Sequence, residues 1–357
     1  MAVVKPFRAL RYNEAAAGPL ESLVAPPYDV ISAEERAEYL AWPNNVVHLT
    51  LPDSEEEAAR TLERWRAERL LVEEPPAVWF LTQDYVGPDG VQRRRSGIVG
   101  SLKVEPYETR TVLPHERTHA GPKEERLRLL RATEVQLEPI FLLYDGPAPL
   151  EAPERAPDLA VDGASLWRLD DPTIVRAFDD KQLLIADGHH RYETAVAFHE
   201  EEGTPATAQM LVVLVSTDDP GLEIFPTHRV FHSPKRLAGE REPVTDPDAA
   251  LEALGAEPSG RPAVVEVTRT DTAIVRGEPG LLDVQLVDTV GHEGIAYTPD
   301  AAEALRRVRE READVAYLMR PTRIEDVFAY ARRGEVLPQK TTYFFPKLLS
   351  GLLFHPL

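Results

Sequence analysis

Segments in which hydrophobic residues recur at helical spacing alternate along the chain with shorter hydrophobic runs that are typical of strands. Apolar residues recur at helical spacing after Ser32 and Ser54, and each serine is followed by Glu three residues later, which predicts capped helices. Two strand-like runs at 78–85 and 91–104 flank the turn sequence Gly87-Pro88-Asp89-Gly90 and predict a hairpin. Strands mixed with helices favour an α/β or α+β fold.

The same alternation continues to the C-terminal part. Further strands are predicted at 137–144, 182–186, 209–215, 263–268 and 315–319. Further helices are predicted after Asp171-Pro172, after His190, at 281–289, after Thr298-Pro299 and from 322 to Gly334. The chain is therefore expected to form a mixed α/β structure.

Two segments predict domain boundaries. Residues 146–158 contain four prolines and indicate a linker or a long surface loop, and residues 233–248 are rich in Pro, Glu and Arg. The length of 357 residues fits two or three domains. We expect an N-terminal extension at 1–95, a core at 96–235 and a C-terminal α/β domain at 236–357.

Composition narrows the function classes. The net charge of −20 argues against a general nucleic-acid binder, because phosphate backbones require basic surface. The chain contains no cysteine, which excludes disulfides and thiolate metal sites. No apolar run approaches the roughly 20 residues of a membrane span. Without a visible signal peptide, the cytoplasm is the expected compartment. The sequence does not indicate an oligomeric state.

The most polar strand-to-helix junction is Asp187-Gly188-His189-His190-Arg191. Backbone N–H groups and the positive end of a helix dipole meet at such a junction and favour an anion. Gly188 allows close backbone approach, and the histidines and Arg191 add donors for phosphate oxygens. Asp187 could hold Mg²⁺ or orient a histidine. A capping Asp with surface histidines is the alternative, but this cluster is too dense for an idle loop.

A zinc-protease pattern, H-E-x-x-H, occurs at His115-Glu116-Arg117-Thr118-His119. That motif needs one continuous helix so that both histidines face one metal. Pro114 precedes the pattern and Gly121-Pro122 follows it, which leaves barely one helical turn. We therefore disfavour zinc proteolysis. No P-loop and no G-x-G-x-x-G after a strand is present, so a nucleotide would have to bind at 187–191.

Five motifs carry a family resemblance. In chain order they occupy residues 25–30, 114–118, 187–191, 226–229 and 334–342. Together they resemble the ParB/sulfiredoxin-like superfamily. Within it they are similar to the free L-serine kinases and to a large bacterial family known as a domain of unknown function. The resemblance covers essentially the whole chain, although the kinases lack most of the region before residue 95.

This resemblance implies a ParB/sulfiredoxin-like catalytic core, with a C-terminal domain that closes the cleft, and a role for each motif. Glu116 is then the general base for the acceptor hydroxyl, with His115 beside it and Asp187 as a further catalytic or Mg²⁺-binding carboxylate. The nucleotide phosphates are expected at Gly188, His189, His190 and Arg191. The acceptor is expected at Lys340, Thr341, Thr342, His228 and Arg229. Lys123 and Arg126 could face the same anion, and the roles of Tyr28 and Asp29 stay open between a lid contact and a structural turn.

The implied activity is transfer of the terminal phosphoryl group of ADP or ATP to free L-serine, with Mg²⁺ offsetting the phosphate charge. One alternative is a nucleotide-responsive switch in the manner of ParB, which binds CTP through a related turn. The acidic charge and the lack of a basic helix count against it. Another is a phosphotransferase or hydrolase for a different hydroxylated metabolite. The sequence does not choose between ADP and ATP, or between serine and a similar acceptor.

Overall fold

The computed structural model describes residues 1–116, 120–233, 235–256 and 260–357. Its strands in chain order are β1 (Val4–Lys5), β2 (Leu10–Tyr12), β3 (Leu71–Glu73), β4 (Val78–Val86), β5 (Gln92–Lys103), β6 (Val112–Leu113), β7 (Val135–Gln136), β8 (Ile140–Tyr144), β9 (Leu159–Val161), β10 (Ala164–Leu169), β11 (Leu183–Asp187), β12 (Gln209–Ser216), β13 (Glu223–Phe225), β14 (His228–Phe231), β15 (Glu240–Pro243), β16 (Ala263–Thr268), β17 (Thr272–Arg276), β18 (Ile295–Thr298), β19 (Val315–Leu318), β20 (Tyr343–Phe345) and β21 (His355–Pro356).

The α-helices are α1 (Glu14–Ala17), α2 (Ala33–Leu40), α3 (Val47–Thr50), α4 (Glu55–Ala67), α5 (Ala120–Thr133), α6 (His189–Glu202), α7 (Pro247–Ala256), α8 (Asp283–Asp288), α9 (Ala301–Arg309) and α10 (Ile324–Arg332). Short 3₁₀ helices occur at Leu20–Ser22, Tyr28–Val30, Tyr107–Thr109 and Pro172–Phe178. The mixed α/β class is confirmed. No helix among these described segments is long and apolar enough to cross a membrane.

Local sequence signals explain several element boundaries. Ser32 forms a complete capping box with Glu35 at the start of α2, and Ser54 accepts a hydrogen bond from the backbone of Glu57 in α4. The predicted hairpin is formed by β4 and β5. The helix expected after Asp171-Pro172 is instead a 3₁₀ turn at Pro172–Phe178, although Asp171 caps it as a helix N-cap would.

A large sheet forms the centre of the molecule. Its strand order is β6-β11-β8-β12-β5-β4-β10-β9, with β1 on β5. Both faces are buried, because neighbouring residues of β11 enter different cores: Leu184 packs with the N-terminal segment, whereas Leu183 and Ile185 pack with α6. The alternation follows from the two-residue period of a strand. Helix α6 therefore covers one face, directly after the strand that precedes it.

A second, antiparallel sheet has the order β15-β17-β16-β19-β14-β18. Apolar residues of α7 and α9 pack on one of its faces and those of α8 on the other. In the chain this sheet lies between β13 and β20, which pair with each other. The chain returns after the second sheet, since β21 pairs with β7. The boundaries at residues 95 and 235 stay a prediction.

Strand direction determines which segments meet at one edge of the large sheet. Strands β6 and β11 are parallel, so their carboxyl ends lie side by side and lead into His115-Glu116 and Asp187. Strand β8 is antiparallel to β11 and begins at this same edge, immediately after Glu138 and Pro139. Motifs that are far apart in sequence are thus placed next to one another.

Candidate functional site

Gly188 makes the turn between β11 and α6 possible. Its φ of +98° lies in the left-handed region, and a Cβ at this position would be 2.6 Å from Cγ2 of Ile140. Gly188 is the N-cap of α6, and no side chain caps this helix end. The first backbone N–H groups of a 14-residue helix are therefore directed to the sheet edge, where they favour an anion. The predicted strand–turn–helix is confirmed.

Asp187 is held between two cations. One of its carboxylate oxygens accepts a hydrogen bond from Nζ of Lys347, and the other lies 2.7 Å from Nη2 of Arg191. Burial alone would raise the pKa of Asp187, but Lys347 and Arg191 lower it to about 2. Arg191 also donates to the carbonyl of Pro139 at 2.5 Å. Arg191, which is predicted to bind phosphate, thus also stabilises the turn by joining Asp187 to Pro139.

His115 and His189 are buried against each other, with ring centroids 4.7 Å apart in an edge-to-face arrangement. His115 Nδ1–H donates to the carbonyl of Ile185 at 2.6 Å, so its Nε2 is an acceptor and receives the Thr342 hydroxyl at 2.9 Å. The His115 backbone N–H donates to His189 Nε2 at 3.3 Å. Burial lowers the pKa of both rings, which are therefore neutral at pH 7. His190 follows at the second position of α6 and is partly exposed.

The segment 337–342 lies beside His115 and Glu116. The backbone N–H of Lys340 donates to Glu116 Oε1 at 3.1 Å, and the N–H of Leu337 donates to the His115 carbonyl at 2.8 Å. The Pro-His-Glu, Asp-Gly-His-His-Arg and Lys-Thr-Thr motifs are consequently in one place. The roles assigned to their residues stay predictions.

Arg229 and His228 belong to β14 of the second sheet. Arg229 is buried, its Nε has no hydrogen bond within the described residues, and it lies 4.0 Å from Asp288 Oδ1. Its side chain lines a cavity of about 160 Å³ together with Lys340 and Thr341. His228 is not among the described residues lining that cavity: its Nδ1 accepts the Met319 N–H at 3.0 Å. Burial lowers the pKa of His228 to about 4.

The N-terminal motif reaches the same sheet edge. The backbone N–H of Tyr28 donates to Glu138 Oε1 at 3.1 Å. The guanidinium of Arg126 lies 4.3 Å from the centre of the Tyr28 ring, and burial raises the pKa of Tyr28 to about 12. Lys123, also predicted to face the anion, lies 3.8 Å from Glu193. The Tyr28 backbone is therefore hydrogen-bonded to the residue that precedes Pro139, whose carbonyl accepts from Arg191.

Sequence reasoning missed Lys347 and Arg95. The Arg95 guanidinium is buried over the ring of Phe141, 4.4 Å from its centre, and donates to the carbonyl of Pro346 at 2.7 Å. It thereby fixes the backbone just before Lys347. The available signal was weak: Lys347 is a single basic residue in the largely apolar stretch 343–354. Burial lowers the pKa of Arg95 to about 10.

The zinc-protease pattern is not carried by one helix. His115 lies before α5, which begins at Ala120, and both of its ring nitrogens are already hydrogen-bonded. His119 falls within 117–119, outside the described residues. Across the described part of the chain, no group of three or more His, Asp or Glu residues is arranged to hold a metal ion.

Several solved structures are similar to this chain. A free serine kinase in complex with AMP is 18% identical, covers 68% of this chain and 89% of its own, and has a TM-score of 0.39. A conserved hypothetical protein from Pyrococcus furiosus is 18% identical, covers 68% and 92%, and has a TM-score of 0.36. SbnI with a C-terminal truncation from Staphylococcus aureus is 13% identical, covers 70% and 85%, and has a TM-score of 0.39.

The comparison with proteins of curated function finds no match. One family profile does match, over residues 4–246, and this span contains the motifs at 25–30, 114–118, 187–191 and 226–229. The matched region takes in the large sheet, α5 and α6, and the turn between β11 and α6. The chain therefore belongs to the family described as protein of unknown function DUF1015.

Proposed function

We propose that this protein is a phosphotransferase that moves the terminal phosphoryl group of ADP or ATP to the hydroxyl of free L-serine and gives O-phosphoserine. One observation carries the proposal. The Glu116 carboxylate accepts a hydrogen bond from the Lys340 backbone N–H. The adjacent His115 is hydrogen-bonded both to His189 of the turn and to Thr342. A base, a phosphate turn and a hydroxyl-rich segment are thus adjacent. The motif resemblance implies the same assignment.

The donor nucleotide would bind at the start of α6. The uncapped N-terminus offers backbone N–H groups, and Gly188 has no side chain to obstruct the phosphates. Lys347 and Arg191 supply positive charge at the same place. Both ADP and ATP present terminal phosphates that suit such a turn, so the donor is left as either.

Glu116 would accept the proton of the acceptor hydroxyl. The serine oxygen then forms a bond to the terminal phosphorus, and the bond from that phosphorus to the bridging oxygen breaks. The nucleotide leaves as AMP or ADP with the electron pair, and the proton remains on Glu116 until product release. The Lys340 N–H at Oε1 orients the carboxylate for this transfer.

The cavity beside Lys340 and Thr341 supports a small acceptor. Its volume of about 160 Å³ is close to that of engineered cavities that hold one benzene molecule, which has about as many heavy atoms as serine. Arg229 provides a buried cation in the lining, for which an amino-acid carboxylate is a suitable partner. A free amino acid therefore fits better than a protein side chain.

Magnesium fits this site only as an ion that arrives with the nucleotide. The described residues contain no group of three or more metal ligands, but Asp187 provides a carboxylate at the turn, and Mg²⁺ is commonly held by one or two carboxylates plus substrate phosphates and water. When bound, Mg²⁺ would offset charge on the phosphates. Positioning of the base and of the acceptor would be done by the protein residues described above.

The test is product analysis by mass spectrometry. The full-length protein is incubated with Mg²⁺, one nucleotide from a panel of ADP, ATP and CTP, and one acceptor from a panel of serine, homoserine and threonine. We expect O-phosphoserine and an equal amount of AMP or ADP. Nucleotide binding with no phosphorylated product would favour the switch alternative. Release of inorganic phosphate without a phosphorylated acceptor would indicate a hydrolase.

A further inference from the structure

We propose that Lys347 is the principal phosphate-binding cation of this site. Asp187 holds the Lys347 ammonium group in place until the phosphates of a nucleoside diphosphate take the place of the carboxylate. The inference rests on the proposed nucleotide binding and adds a residue that no motif identified. It also assigns a second task to Asp187, namely to keep the partly exposed Lys347 ammonium group next to the turn while the site is empty.

Lys347 combines a side chain that can move with a backbone that is held in place. Its Nζ contacts Asp187 and lies 5.9 Å from the centre of the Tyr343 ring, and its side chain keeps 21% of its exposure. The ammonium group has three donors on a flexible four-carbon stem, so it can turn from one oxygen to another. Its backbone is anchored, because Arg95 donates to the Pro346 carbonyl.

Arg191 makes the displacement possible. Asp187 is shared by two cations, and Arg191 remains on its second oxygen when Lys347 leaves the first. The move therefore does not leave a buried carboxylate without a partner, which would be strongly unfavourable. Arg191 itself is less able to move, since it also donates to the Pro139 carbonyl and its side chain is only 10% exposed.

His189, the helix N-terminus and Lys340 do not replace this charge. His189 accepts a hydrogen bond at Nε2 and is buried, so it contributes no positive charge. The helix N-terminus contributes only a partial charge. Lys340 presents its backbone to Glu116, while the residue lines the cavity on the acceptor side. Lys347 thus supplies a full positive charge beside the turn, and among the described residues its ammonium group forms an ion pair with Asp187 alone.

The experiment measures binding of adenosine, AMP and ADP by calorimetry in EDTA, so that no divalent metal contributes. Lys347→Met is compared with wild type and with Lys181→Met, which removes a lysine just before β11, at the opposite end from Asp187. Lys347→Met should lower ADP affinity by about 10- to 100-fold, the range for a charge-assisted hydrogen bond, and should leave adenosine affinity unchanged. Lys347→Arg should restore part of the difference, and Lys181→Met should match wild type.

Asp187→Asn provides a second test that does not require Lys347→Met to fold. Releasing Lys347 from its anionic partner should raise ADP affinity in EDTA, whereas adenosine affinity should not change. An equal loss for adenosine and ADP in Lys347→Met, or weaker ADP binding in Asp187→Asn, would overturn the role of Lys347 but leave the kinase proposal standing. Failure of wild type to bind any of the three ligands, with or without Mg²⁺, would overturn both.

Discussion

The hydroxyl of Thr342 donates a hydrogen bond to Nε2 of His115 at 2.9 Å, across 227 positions of sequence. On the other side of the ring, Nδ1–H donates to the Ile185 carbonyl at 2.6 Å. Both nitrogens of a buried imidazole are therefore satisfied, which fixes one neutral tautomer. The contact ties the segment that carries Glu116 to the segment that carries Lys340, and so connects the base to the acceptor side of the proposed site.

Removing the Thr342 hydroxyl should destabilise the protein. Thr342→Val keeps the shape of the side chain but leaves the buried Nε2 of His115 without a donor, and the free energy of unfolding should fall by about 1–3 kcal/mol. Thr342→Ser retains the hydroxyl and should stay much closer to wild type. Urea unfolding of the three proteins gives the comparison. Equal stabilities for the valine and serine variants would show that the hydrogen bond contributes little.

Local signals explain what the sequence could predict of this site. Gly188 and the polar residues after it are adjacent in sequence, and a strand run before them and a helical pattern after them fix the turn. The pairing of β6 with β11 was not predictable, because it depends on two residues per strand. The Lys347–Asp187 contact joins positions 160 apart, and its lysine lies in an apolar stretch with no motif. Long-range pairing of single residues leaves no periodic pattern to detect.

Gly188→Ala should be more destabilising than an alanine at another left-handed glycine of the same helix. A methyl group at Gly188 would meet Ile140 at 2.6 Å, whereas Gly203 at the C-terminal end has φ +65° and no heavy atom within 4 Å of the added Cβ. In Gly203→Ala, backbone strain alone should lower the free energy of unfolding by about 1 kcal/mol. In Gly188→Ala, the same strain should be joined by overpacking against Ile140, which should lower the free energy of unfolding by roughly a further 1–3 kcal/mol. Thermal unfolding measures both, and equal losses would mean that Ile140 moves aside freely.

His355 should make stability depend on pH in the mildly acid range. The ring is buried beside Phe7, its Nε2 lies 3.1 Å from the Ser101 hydroxyl, and burial lowers its pKa to about 4. The unfolded chain binds the proton at about pH 6.5, so this stabilising contribution is complete above that pH and is lost as pH falls towards 4. Between pH 7 and 4.5 the loss from this residue should be about 2–3 kcal/mol.

The comparison is between wild type and His355→Gln, whose amide can keep the contact with Ser101 but does not titrate. Urea unfolding at pH 7 and at pH 4.5 should show a smaller decrease for the variant. Some decrease should persist, because burial also lowers the pKa of His115, His189 and His228. Identical decreases in the two proteins would mean that His355 is protonated in the folded state without penalty.

Glu116→Gln tests the assignment of the general base. The amide oxygen of glutamine can still accept the Lys340 N–H, so the geometry at Oε1 is preserved while the basic site is lost. We expect kcat for O-phosphoserine formation to fall by roughly 10²–10⁴-fold, the range for removal of a general base. Nucleotide affinity should change little, because Glu116 lies beside Lys340 rather than at the start of α6. A small gain in nucleotide affinity is compatible with the loss of a negative charge.

Glu335→Gln is the matched control. Glu335 is an exposed carboxylate just before the segment 337–342, and it is paired with Arg333. It should retain wild-type kcat and the wild-type KM for serine. If Glu116→Gln also kept normal kcat, Glu116 would have no part in the chemistry. If it lost Mg²⁺-nucleotide affinity with unchanged kcat, the carboxylate would act on the metal rather than on the hydroxyl. The base would then have to be sought at Asp187, whose second oxygen is already on Arg191, or at His115, whose Nε2 becomes available only if Thr342 moves away.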